Sequence, residues 1–234
     1  MSPDDGLSYE FLLDEFPDNL IVLESAEVSS GLGQARNRGI DAAKGDFIVM
    51  LDAGDVWCAG VLAELLPLAQ DHGLAFLRAN PVTPGMLSLR TPPLYGPDLT
   101  LREFGLAMCS VRPFLHKSLV QGYYGMLIAD TVHDAALLAR HGPCPLLEAG
   151  YAQVIRSDAV RARDYSRQFQ AEYAAVLASC LSEPGTYGLA DLSSEGLAQV
   201  AWVFKHRLAV SKSFEKSGEK SYEEWVAGTE FNFS

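Results

Sequence analysis

Long apolar runs are missing from this 234-residue chain. No stretch approaches the ~20 residues that a membrane-crossing helix needs, which excludes an integral membrane segment. Basic charge is also scarce. Lys and Arg number 18 against 30 Asp and Glu, for a net charge of −12. Such a surface repels phosphate backbones, so generic nucleic-acid binding is excluded. The four cysteines, Cys58, Cys109, Cys144 and Cys180, form no C-x-x-C pair and have no histidine at zinc spacing. Buried free thiols in a reducing compartment are expected. Met1 to Leu7 lacks a basic stretch and an apolar stretch, so no secretory signal is expected and the expected location is the cytoplasm. No repeat or low-complexity segment is visible. What is present is a globular balance, 48% hydrophobic and 21% charged. The length suits one domain, or one domain with a helical extension.

Hydrophobic spacing gives a coarse order of elements. Leu20-Ile21-Val22-Leu23 reads as a short buried strand. Ser29 or Ser30 offers an N-cap for a helix from about Leu32 to Lys44, closed by Gly45. Asp46 to Asp52 carries an unbroken apolar run, as in a strand covered on both faces. Cys58 to Ala69 is amphipathic and closes at Gly73, and Leu74 to Leu77 is another strand. This alternation predicts an α/β fold with parallel pairing. Asn80 to Pro97 reads as a long loop. Arg112 to His116 is a candidate strand, His133 to Arg140 a helix, and Leu146-Leu147 and Tyr151 to Ile155 short strands. Helices are expected over Arg163–Leu181 and Gly196–Val210, with a polar, frayed tail from Ser211.

Chemistry concentrates where the Asp46–Asp52 strand ends. Ligands of open α/β sheets bind beyond the carboxyl ends of strands. Asp52 and Asp55 there offer hard oxygens for Mg²⁺ or Mn²⁺, which offsets the charge of a departing diphosphate. The competing reading is a solvated turn with an aspartate helix cap. The Tyr123-Tyr124 pair between Gly122 and Gly125 suits either stacking on a sugar ring or core packing. Lys205, Arg207, Lys212, Lys216 and Lys220 suit a peripheral contact with an anionic membrane, a contact with a charged acceptor, or a solvated tail.

The stretch Gly31 to Trp57, GLGQARNRGIDAAKGDFIVMLDAGDVW, resembles the central signature of the family-two, GT-A-fold glycosyltransferases. Ala35-Arg36-Asn37, Gly39-Ile40, Ala43, Gly45, Leu51-Asp52, Asp55 and Trp57 match in register. Asp4-Asp5-Gly6 is similar to the family's D-D-G-S turn, and Tyr9 to Phe16 to the helix after it. His133-Asp134 through Arg140 is similar to its E-D-x-x-l-x-x-R helix start. Leu147 to Arg156 resembles a further family segment. The resemblance covers about residues 4–165.

It implies a GT-A-like mixed sheet flanked by helices over 1–160 and a C-terminal helical extension over 161–234. It also implies inverting, metal-dependent transfer from a nucleotide-diphospho-sugar donor to an acceptor hydroxyl. Asp134 would be the general base. Asp4, Asp5, Arg36 and Asp52 would bind the donor, and Asp55 with Asp52 would hold Mn²⁺ or Mg²⁺. Three departures stand out. The chain starts at the D-D-G turn, so the family's first strand–helix–strand unit is expected to be missing. A late start codon, a fragment or a degenerate copy would each account for this. The uncovered sheet edge would favour homo-oligomers. Gly54 replaces the second Asp of D-x-D. His133 replaces the Glu before the base, as a metal ligand, a phosphate contact or a plain surface residue. The alternative reading is an impaired or truncated relative that acts as a binding or partner module.

Overall fold

The computed structural model describes residues 21, 23, 31–89, 94, 96–107, 110–155, 166–218 and 225. The elements in chain order are α1 (Gly31–Ala42), β1 (Phe47–Ile48), β2 (Val56–Trp57), α2 (Val61–His72), β3 (Leu74–Val82), β4 (Asp98–Leu99), α3 (Leu101–Ala107) and β5 (Val111–His116). There follow α4 (Ala129–His141), β6 (Cys144–Val154), α5 (Ser166–Ser182) and α6 (Ser194–Ser217). The sheet runs β1-β5-β3-β6-β2, with β4 also pairing to β6.

β3 is the central strand and is buried along almost all its length, as its apolar run requires. It pairs parallel with β6 and antiparallel with β5. The other pairs are antiparallel, so the expectation of parallel pairing holds for β3–β6 alone. The reason lies in the return of the chain. Val111 at the start of β5 lies opposite Arg78, midway along β3, and β5 then runs back until Leu115 lies opposite Leu74 at the start of β3. An antiparallel pair needs no crossover to the far end.

Two apolar cores flank the sheet. On one face Val61, Leu65 and Ala69 of α2, spaced one turn apart, pack on Ala75, Leu77 and Tyr151. On the other, α1, α3, α4, α5 and α6 share a core with Leu74, Phe76 and Leu115. Thr100 and Glu103 form a reciprocal capping box at α3. Thr100 Oγ1 accepts from the Glu103 N–H and Glu103 Oε2 accepts from the Thr100 N–H, each at 3.1 Å. Ser193 caps α6 through the Gly196 N–H at 3.0 Å.

Several expectations shift. The Asp46–Asp52 strand pairs only over Phe47–Ile48, and Leu51 is 47% exposed rather than covered on both faces. β3 runs on to Val82 because Asn80, Pro81 and Val82 pair with Ala152, Gln153 and Val154, so the loop begins at Thr83. The two short strands near residues 146 and 155 are one bulged strand, β6. Opposite the bulge Leu77 pairs Leu147 and Ala79 pairs Tyr151. Gly150 makes this bulge possible, with φ +113° and a position where a Cβ would lie 2.3 Å from Val61 Cγ2. α6 continues through Ser217, with Ser211 and Phe214 buried, where a frayed tail was expected. Ile21 and Leu23, from the expected Leu20–Leu23 strand, are 50% and 46% exposed. The Tyr9–Phe16 helix, the Ser29 or Ser30 cap and Cys109 lie outside the described residues. Cys144 and Cys180 are buried free thiols as expected, and Cys58 is exposed. Among the described residues no helix is long and apolar enough to cross a membrane.

Candidate functional site

The site is built around two buried arginines. Arg36 projects from α1 and Arg112 from β5, and both are less than a tenth exposed. Between them lie two half-buried carboxylates. Arg36 Nη2 donates to Asp52 Oδ1 at 2.8 Å, and Arg112 Nη2 donates to Asp52 Oδ2 at 2.5 Å. On the other side Arg36 Nη1 donates to Asp130 Oδ1, with Arg112 Nη1 4.0 Å from Asp130 Oδ2. The result is a ring of two cations and two anions. Burial pushes the Asp52 carboxyl up, but Arg112 and Arg36 outweigh it and hold it below the usual carboxylate range. Burial likewise lowers the Arg112 guanidinium, and Asp52 outweighs it in the raising direction.

The turn Asp52–Asp55 is closed by the Asp55 N–H on the Asp52 carbonyl at 3.1 Å. Gly54 occupies it at φ +88°, where L side chains are strained. The turn is pinned to β6. Tyr151 Oη donates to Asp55 Oδ2 at 2.7 Å, and the Val154 N–H donates to Asp55 Oδ1 at 3.0 Å. Tyr151 also lies under Arg112, its ring centroid 5.2 Å from the guanidinium carbon. Burial pushes the Tyr151 phenol up to about 12, so it stays a donor.

Asp134 is 2% exposed and sits in the second turn of α4. The helix was expected to begin at His133. It begins at Ala129, so Asp130 rather than Asp134 occupies the first turn. His133 is also buried, not at the surface. Its ring stacks on Tyr123 at 4.5 Å between centroids, and its Nδ1 lies 3.4 Å from Asp134 Oδ1. Tyr123 is therefore a core residue that also carries Arg36 over its ring at 5.2 Å, while Tyr124 packs edge-on against Tyr187. Asn37 fixes this arrangement. Its side chain donates to the Tyr123 carbonyl at 2.8 Å and accepts from the Tyr123 N–H at 2.7 Å. Adjacent residues of one helix, Arg36 and Asn37, thus hold the acidic turn and the segment before α4.

Beside the ring opens a cavity of about 210 Å³, lined among others by Arg112, Asp130, Thr131, Asp134, Tyr173 and Arg207. The structure brings Arg36, Asp52, Asp55 and Asp134 into one neighbourhood. Asp4 and Asp5 lie outside the described residues. Sequence reasoning missed the roles of Arg112, Tyr151 and Arg207. For Arg112 the signal was a cation inside the apolar strand Val111–His116. For Arg207 it was a cation at a core position of a helical stripe. It is buried, not part of a solvated tail.

Whether a hard cation fits is decided by the donor set. Both oxygens of Asp52 take a guanidinium, whereas those of Asp55 take the neutral donors Tyr151 and Val154. Each oxygen keeps a second lone pair, so an oxygen-seeking dication fits Asp55 better than Asp52. Among the described residues no group of three or more His, Cys, Asp or Glu is gathered for a metal.

Residues 4–121 match the family model of glycosyl transferase family 2. Over 66 residues the chain is 33% identical to WfgD of Escherichia coli, a UDP-Glc:alpha-D-GlcNAc-diphosphoundecaprenol beta-1,3-glucosyltransferase. That stretch is 28% of this chain and 26% of WfgD. The fold is similar to S. aureus TarS 1-349, with a TM-score of 0.61 at 16% identity, over 94% of this chain and 64% of that one. The same fragment in complex with UDP-GlcNAc gives a TM-score of 0.60, over 93% and 65%. The chain thus spans less than two thirds of the relatives it matches.

Proposed function

Since the chain belongs to glycosyl transferase family 2, we propose that it moves a sugar from a nucleotide-diphospho-sugar to an acceptor hydroxyl with inversion. The observation that carries this reading is the placement of Asp134. A buried carboxylate lines the same cavity as Arg112 and Asp130, and Arg112 in turn grips Asp52 at the acidic turn. A site of this kind can hold a proton acceptor on one side and cationic groups on the other.

In this mechanism the acceptor oxygen attacks the anomeric carbon as its proton passes to Asp134. The carbon–oxygen bond to the diphosphate breaks on the opposite face, and the electron pair leaves on the diphosphate. Arg36 and Arg112 face the negative charge that grows there, and Asp52 keeps both guanidinium groups oriented. Asp4 and Asp5 are assigned to the nucleotide. Asp55, with Asp52 as the weaker partner, would hold Mn²⁺ or Mg²⁺, which when bound supplies positive charge to the leaving diphosphate.

A thermal-shift panel of UDP-, GDP-, CDP- and dTDP-sugars, with and without Mn²⁺, tests the donor half. A ligand of the native state raises its melting temperature. One nucleotide class should stabilise the chain, and Asp55→Ala should remove any Mn²⁺ increment. No shift with any donor would overturn the reading. The second reading is an impaired relative that binds without transfer. It is favoured by Gly54, which replaces a carboxylate in the D-x-D. Donor stabilisation without donor hydrolysis or transfer would select it.

A further inference from the structure

We infer that Arg207 and the cavity it lines form a subsite for an anionic group carried by the acceptor, of the phosphate type. This rests on the transfer reading above. Along α6 the buried positions Val200, Val203, Phe204, Arg207, Val210 and Phe214 form one stripe at helical spacing. Five are apolar, and Arg207 is a cation in the same row, 6% exposed.

Its contacts are all neutral. Arg207 Nη2 donates to the Phe104 carbonyl at 2.9 Å, and the guanidinium lies over the Phe104 ring at 4.5 Å. Its charge and a hydrogen bond also act on the buried Tyr173 phenol. Arg207 Nε has no hydrogen-bond partner. Among the described residues no carboxylate lies within ion-pair distance of it. A desolvated charge without a counter-ion is costly. Of the other charged groups on the cavity wall, Asp130 pairs with Arg36 and Arg112, Arg112 with Asp52, and Asp134 lies 3.4 Å from the His133 ring. Among the described residues Arg207 is thus the one guanidinium of the wall without an ion pair, and it is supplied by α6.

The cavity is several times the ~30 Å³ that a water occupies in the liquid, so a tetrahedral oxyanion fits. A guanidinium fork suits such an oxyanion. The donor's own diphosphate is the other possible source of this anion. The acceptor is favoured because Asp134, the proposed base, shares the cavity with Arg207. An acceptor held there would be fixed by its anion at a short distance from its reacting hydroxyl.

The test titrates inorganic phosphate into the full chain by calorimetry at low salt, first saturating with UDP to occupy the diphosphate site. Wild-type protein should bind phosphate. Arg207→Met should weaken it about tenfold or more, the loss expected for one charge-assisted contact, and Arg207→Lys should fall between. Thr131→Glu leaves Arg207 in place but adds a carboxylate to the cavity, and should also abolish phosphate binding. It decides the matter if Arg207→Met does not fold. Phosphate binding that survives in Arg207→Met or Thr131→Glu, or is absent from wild type, overturns the subsite. If UDP fails to bind, the nucleoside diphosphate selected by the donor panel takes its place; if none binds, the transfer reading fails separately, and the phosphate titration still judges Arg207.

Discussion

Arg112 Nη2 lies 2.5 Å from Asp52 Oδ2, linking a cation inside an apolar strand to the acidic turn 60 residues earlier. Asp52→Asn would leave two buried guanidinium groups short of charge. The expected loss is about 2–3 kcal/mol, below the 3–5 of a fully buried pair because Asp52 is a third exposed. The sign with pH follows from the lowered carboxyl. The stabilisation is complete above the unfolded pKa of about 3.9 and is lost as pH falls through the folded value. Urea denaturation of wild type and variant should show a constant gap above about pH 5 that closes below pH 4.

Asp134→Asn conserves shape inside α4 and removes the proposed proton acceptor. Donor binding should stay within a factor of about two, while transfer falls by roughly 10²–10⁴-fold. Single-turnover assays with a labelled donor would measure both. Wild-type transfer rates in the variant would move the base elsewhere, with Asp130 next in line.

His133→Glu would restore the residue usual in the family, and the sequence alone predicts tolerance at a solvent-facing position. The structure reverses this. The new carboxylate would replace a ring stacked on Tyr123 and would face Asp134 in a buried site. A loss of about 2 kcal/mol or more is expected from the desolvated like-charge pair. His133→Gln should cost less, since it adds no charge. Thermal melts of the two variants should separate charge from shape.

Gly54→Asp would complete the D-x-D pattern but place a side chain at φ +88°. Strain of about 1 kcal/mol is expected, with aspartate among the better tolerated residues there. Denaturation should show the loss, and Mn²⁺ titration should show whether a third carboxylate tightens binding. Tighter Mn²⁺ with unchanged stability would mean that the turn relaxes around the substitution.

The signature stretch was readable because its constraints are local. Arg36 and Asn37 are adjacent on one helix, and the acidic turn follows an apolar strand. The partners of those residues were not readable. Arg112 and Tyr151 reach the site through sheet order, and Tyr123 and Asp130 through the packing of α4 and the segment before it, so their pairing with the signature stretch is set by tertiary structure. The Asp134 helix was legible as a helix but not in its start. The N-cap residue is Ile128, whose side chain cannot cap, and its N–H donates instead to Glu172 Oε2 at 3.1 Å, 44 residues later. Strand direction failed for a similar reason, because it depends on where the chain re-enters the sheet. Arg207 was legible only as charge, since its burial comes from packing of α6 on α3.

The pinning of the acidic turn by β6 bears on how the protein is made. Asp55 is held by Tyr151 and Val154, 96 and 99 residues later, and Asp52 by Arg112 after 60. Contacts of such sequence separation form only after a large loop-closure cost has been met. A nascent chain that has emerged only to β5 holds the signature stretch without these β6 anchors. The turn becomes rigid when β6 inserts beside β3, which couples donor-site geometry to completion of the sheet. Hydrogen exchange at the Val154 amide, which donates to Asp55 Oδ1, should then report release of the turn from β6.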